Sequence, residues 1–127
     1  MSRVIDLPDQ FEDSSVLLMA RLLAADDGAA LQQADLSSIA LSVYDECDPS
    51  NAIATATLTI SAVVFNTLQT DARWTLDSTG YNFAYWTATT HMPHGNRTYR
   101  FEIKYTHAGG QVGHQVWRCK TIPLLRS

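Results

Sequence analysis

Two histidines in one turn, two isolated cysteines and a pair of aspartates around a tryptophan are the residues of this 127-residue chain whose types could do chemistry. His91 and His94 stand three apart in His91-Met92-Pro93-His94-Gly95-Asn96, while His107 and His114 flank the last turn of the chain. Two imidazoles hold a metal only with further ligands, and no carboxylate lies beside this pair in sequence. Cys47 and Cys119 lack a CxxC neighbour, which argues against a thiolate zinc site. Asp71 and Asp77 flank Trp74, with Ser78 adjacent, and so resemble the carboxylate pair of a glycosidase cleft. Two aspartates in a loop more commonly bond their own backbone as turn and cap formers. The chain has no Walker loop, no GxGxxG and no GxSxG. The expectation is a non-enzymatic protein with no catalytic residue, no cofactor and no metal.

The remaining constellation is aromatic: Trp74, Tyr81, Phe83, Tyr85, Trp86 and Trp117. An exposed row of such rings would be a carbohydrate-stacking platform. The period-two spacing of Tyr81, Phe83 and Tyr85 instead assigns them to a core with Tyr99, Phe101 and Ile103, which leaves Trp86 on the opposite face as the contact candidate. Protein interfaces use exposed aromatics of this kind as anchors. Residues 1–13 hold Pro8 and five charges without sustained periodicity, yet also Val4, Ile5, Leu7 and Phe11. A solvated tail has no need of them. They read as an extended arm lying across a neighbouring subunit, whose removal would weaken assembly without unfolding the domain.

The elements that must position these residues read as strands. Leu, Met, Ala and Arg in Val16–Ala25 favour helix, with Ser14 or Ser15 as its cap, but the segment is short, is stopped by the turn signal Asp26-Asp27-Gly28 and so reads as a strand. In Leu36–Tyr44, Ile39, Leu41 and Val43 alternate with smaller or polar residues. From Ala52 to Ile60, Thr55, Thr57 and Thr59 take one face and Ala54, Ala56, Leu58 and Ile60 the other. Val63–Leu68 reads as a strand or bend, Thr70–Arg73 as one helical turn, and Tyr81–Thr90 as a strand. In Arg97–His107, Tyr99, Phe101, Ile103 and Tyr105 alternate with Arg100, Glu102, Lys104 and Thr106, and Ala108-Gly109-Gly110 turns the chain into a last strand, Gln111–Thr121. The expected fold is all-β: one antiparallel immunoglobulin-like β-sandwich of about seven strands over 14–127, preceded by the arm at 1–13, with a closed barrel as the rival.

Composition narrows the partners. Hydrophobic residues make up 46% and charged residues 17%, against roughly 25% charged in typical soluble domains. The net charge of -4 gives no basic footprint for nucleic acid, and the longest apolar run, Val16 to Ala20, is far too short to cross a membrane. The opening Met-Ser-Arg-Val-Ile-Asp lacks the apolar core of a secretory leader, so a reducing compartment and free thiols are expected. The -4 is the sum of -8 over residues 1–48 and +4 over 49–127. Interleaved strands would mix the two; kept apart, they would be faces by which copies dock.

The stretches Ala34-Asp35-Leu36-Ser37-Ser38-Ile39-Ala40-Leu41-Ser42-Val43-Tyr44-Asp45 and Leu68–Phe83, with Tyr99–Tyr105, resemble small immunoglobulin-like virion accessory proteins of tailed bacteriophages over roughly residues 16–122. That resemblance implies a structural protein of the virion, assembled in the host cytoplasm and present in many copies or as a homo-oligomer on a repeating lattice. It would act as a capsid decoration, or cement, protein that bridges subunits of the major capsid protein. A tail, neck or baseplate adaptor that contacts other virion proteins is the first alternative, and a carbohydrate-binding module the second. The interface candidates are Val4, Ile5, Leu7, Phe11 and Trp86, with no nucleic acid or membrane among the partners.

Overall fold

A computed structural model describes residues 4–24 and 28–125. The first three residues of the expected arm, Ala25 and the Asp26-Asp27 part of the expected turn lie outside this range. The described residues are mostly β, in two sheets. Their strand segments are β1 (Val4–Asp6), β2 (Gln10–Phe11), β3 (Leu17–Ala20), β4 (Leu36–Asp45), β5 (Ala54–Thr57), β6 (Val64–Gln69), β7 (Tyr81–Trp86), β8 (Thr98–His107) and β9 (Val112–Ile122). One sheet runs β1-β9-β8-β4-β5, with β2 also on β9, and the other runs β3-β7-β6.

The central pairings follow from the alternation in the sequence. Val43 faces Phe101, Leu41 faces Ile103 and Phe101 faces Trp117, so the apolar positions of β4, β8 and β9 fall on one side of the sheet. All of them are fully buried or nearly so, in a single cluster with Leu18, Ala20, Val64 and Phe83 from the second sheet. The two sheets therefore share one core. Trp117 spans it: its ring lies 5.6 Å from that of Phe83, and its indole nitrogen donates to the Met19 carbonyl at 3.0 Å. Gly113 sits opposite Tyr105 at the margin of the core-facing side, where a Cβ would come within 2.4 Å of the tyrosine ring.

The chain passes between sheets at Ile60–Val63, one turn of α-helix (α1). Here the strand expected over Ala52–Ile60 ends early. Leu58 still donates to the Ile39 carbonyl, but Ala62 then donates to that of Thr59, which turns Val63 into the core and delivers the chain to β6. The threonine face of β5 is exposed as expected, at Thr55 and Thr57. Thr70–Arg73 is a turn rather than a helical one, because the Asp71 carboxylate takes the Arg73 amide at 2.9 Å. Gly80 closes the following loop at φ +107°, and a Cβ there would stand 2.4 Å from the Gln69 carbonyl oxygen.

The N-terminal segment corrects two expectations. It is extended, but it lies on its own chain, and its pairing is parallel in an otherwise antiparallel arrangement: Val4, Ile5 and Asp6 face Val116, Trp117 and Arg118. Gln10 and Phe11 then face Thr121 and Ile122. Between Asp6 and Gln10 the segment takes four steps where β9 takes three, and the extra residue falls around Pro8, which has no amide to give to the ladder. Ile5 and Leu7 pack against the core.

Part of the opposed charge of the two halves is paired inside the molecule. Because the end of β4 lies beside the start of β8, Asp45 meets Arg97 at 2.8 Å, and Glu46 meets Arg118 at 2.7 Å. Arg21 and Asp77 pair at 2.8 Å across the same sequence divide.

Two outcomes follow. Deletion of residues 1–13 should lower the melting temperature as well as any assembly, since it strips Ile5 and Leu7 from the core. Trp117→Phe keeps the ring packing but leaves the Met19 carbonyl without its donor, and should cost about 1–3 kcal/mol in urea denaturation.

Candidate functional site

The β3-β7-β6 sheet ends at β3, and the side of β3 away from β7 carries no strand among the described residues. Thr87 donates to the Val16 carbonyl at 2.9 Å, so Val16 bonds inward, toward β7 and its continuation. Strand alternation then sends the main-chain groups of Leu17 and Met19 outward. The Met19 carbonyl agrees, since it accepts the Trp117 indole from that outer side. Between this edge and the β1–β2 segment lies a groove of about 530 Å³, lined by Ile5, Leu7 and Pro8 on one side and Leu17 and Met19 on the other. Trp74, Leu76 and Trp86 complete its apolar lining, and Asp6 and Arg73 supply charge. Leu76 is 57% exposed and Trp86 59%, large apolar surfaces for one short stretch of wall.

The loop over 70–80 holds this wall by its two aspartates. Asp77 accepts the Trp74 indole at 2.9 Å, the Thr79 and Gly80 amides, and the Arg21 guanidinium. These donors, led by the indole, hold its carboxyl well below the usual carboxylate range. Asp71 takes Arg73 at 3.0 Å and the Tyr81 hydroxyl at 2.6 Å, and is lowered in the same way, first by Arg73. Tyr81 is buried here against Phe65 and Trp74, 5.8 and 5.6 Å between ring centres, rather than joining Tyr99 and Phe101. A glycosidase needs one carboxyl that keeps its proton near neutrality. Both aspartates are instead stabilised as anions and act as loop anchors.

The histidine turn separates its two members. His91 ends a short 3₁₀ turn, Thr89–His91, and is buried, whereas His94 is exposed. Burial lowers the His91 pKa, and its Nδ1 has no hydrogen-bond partner. Among the described residues no three histidine, cysteine or acidic side chains come together as metal ligands. Cys47 and Cys119 are both free; Cys47 is exposed, while burial pushes the Cys119 thiol up to about 11 and leaves it a poor nucleophile.

Of the five interface candidates, Ile5, Leu7 and Trp86 meet in the groove. Val4 lies in β1 but does not line it, and Phe11 stands apart, 50% exposed and paired with Ile122. The reading of the sequence missed Leu17, Met19 and Leu76, and named Trp74 in the aromatic set without making it an interface candidate. Leu76 was visible as a lone large apolar residue in the polar run Thr75–Thr79. Nothing in the sequence marks β3 as an edge. No family model, no curated protein and no solved structure matches the chain.

Asp77→Ala should release the loop, seen as a red shift of Trp74 emission and faster amide exchange over 71–80 with the core unchanged. For His91 the folded state favours the neutral ring, so its stabilisation is complete above histidine's usual 6.5 and is lost as pH falls below it. His91→Gln should flatten the stability profile just below pH 6.5 and leave the more acidic carboxylate limb intact.

Proposed function

We propose that this chain is a non-enzymatic immunoglobulin-like docking module that serves as a structural protein of a phage virion, with capsid decoration as its role. The strand order supports the fold: with β3 to β9 taken as successive strands, β3-β7-β6 and β9-β8-β4-β5 follow the division between the two sheets of an immunoglobulin-like sandwich. The observation that carries the docking role is the groove beside β3, where Leu76 and Trp86 present apolar surface next to an open main-chain edge. Such an edge offers hydrogen bonds to an added strand, and apolar walls give its side chains somewhere to go. The resemblance of 34–45, 68–83 and 99–105 to phage accessory proteins supports the virion setting.

A carbohydrate-binding reading has one observation in its favour, that Trp74 and Trp86 line the same groove. Quenching of tryptophan emission by members of a glycan panel would support it.

In purified particles, gel densitometry against the major capsid protein should give on the order of hundreds of copies, and particles without the chain should lose heat resistance. Dozens or fewer would move the role to tail, neck or baseplate. Absence from particles overturns the virion setting. Trp86→Ala should lower uptake onto particles while leaving the melting temperature unchanged, since the side chain is mostly solvated.

A further inference from the structure

We infer that the groove beside β3 takes the C-terminal segment Ile122–Leu125 of a second copy of this chain, added as a strand along the free edge, so that copies join head to tail. The inference deepens the docking reading above and rests on it.

The groove specifies its occupant in three ways. Its main-chain wall, the outward groups of Leu17 together with the Met19 amide, calls for an extended backbone. Its side walls, Ile5, Leu7, Trp74, Leu76 and Trp86, call for branched apolar side chains. Its charge is one-sided: Arg73 is matched by Asp71 at 3.0 Å, whereas Asp6 is held only by a 3.9 Å contact to an Arg118 already engaged by Glu46 at 2.7 Å. The net excess at the mouth is negative, and the occupant should bring a cation.

One stretch of the chain offers all of this. Beyond its last partner, Phe11, the chain continues from Ile122 through Pro123 to Leu124 and Leu125, with Leu125 103% and Leu124 41% exposed. Leu125 stands wholly in solvent at the end of the described residues, and Leu124 keeps two-fifths of its surface there. Pro123 keeps the segment extended and is tolerated in an edge strand. The segment itself is uncharged, but exposed Lys120 precedes it and Arg126 follows it in sequence, so a cation is available at either end for the groove's acidic mouth. The Leu124 amide donates to Glu12 at 2.7 Å, which holds the start of the segment beyond β2, past the groove's own end at Gln10. That anchor lies outside the residues that line its own groove, so the segment is assigned to the groove of another copy. Groove and segment are different patches, so the contact is heterologous and builds rings or open chains rather than a closed pair.

The test uses the full chain in light scattering after size exclusion over a concentration series, with Leu124→Asp/Leu125→Asp as the tail variant and a peptide of residues 121–127 as the probe. The expected result is a mass that rises above that of one chain with concentration in the wild type and stays at one chain in the tail variant, which keeps its melting temperature. The peptide should bind the tail variant with a blue shift of Trp86 emission, weakened about tenfold or more by Leu76→Asp. Association that survives the tail substitutions, as from two β3 edges pairing face to face, overturns the inference. So does a Trp86 shift that is independent of concentration, which would place the tail in its own groove. A wild type that stays monomeric and a peptide that does not bind overturn it too, while Trp86-dependent uptake onto particles would leave the docking reading standing.

Discussion

The indole of Trp117 is the joint on which the two sheets depend. It is rooted in β9, stacks on Phe83 of the opposite sheet and donates to a carbonyl at that sheet's edge. A fully buried tryptophan contributes several kcal/mol by burial alone, and its single polar atom is satisfied by the one kind of acceptor an edge strand supplies, an outward carbonyl. The arrangement covers Met19, which is buried, but leaves the outward main-chain groups of Leu17 without a strand partner among the described residues. Ile5, opposite Trp117 in the parallel register, forms the far wall of the resulting groove. The docking surface is thus a by-product of how the core is closed: a side chain, rather than a strand, seals that side of the sandwich.

The second constraint is the loop at 70–80. It must reach the wall of the groove while remaining outside the core, and it does so through charge: Asp77 gathers an indole, two amides and a guanidinium, and Asp71 a guanidinium and a phenol. Residues that in sequence suggest an active site thereby become the fixtures that hold Leu76 and Trp74 at the surface. The same logic takes up part of the charge asymmetry, since the end of β4 brings Asp45 and Glu46 against Arg97 and Arg118.

Period-two alternation made β4 and β8 legible and the Ala108-Gly109-Gly110 turn made β9 so; each has a buried face whose register is set by Val43, Phe101 and Trp117, and a one-residue slip would expose them. The N-terminal segment was not legible as a strand. Its hydrogen bonds go to β9, more than 100 residues away, and its local pattern is broken by Pro8. Ile5, Leu7 and Trp86 were recognisable as apolar residues without a local use, and that reasoning located three of the groove's apolar residues. Leu17 and Met19 were not recognisable, because an edge differs from a centre only in what is absent on one side. Phe11 shows the same limit: it is exposed as a contact residue would be, but beside Ile122 and away from the groove.

The account turns on the edge of β3 being open in a single copy and covered in an assembly, and amide hydrogen exchange read residue by residue by NMR measures this directly. In dilute protein, Leu17 and Met19 should exchange much faster than Leu18 and Ala20, whose amides bond to β7, and the difference should vanish when the 121–127 peptide is added in excess to the tail-substituted chain. Equal protection of all four amides in the dilute monomer would show the edge already closed and contradict the account.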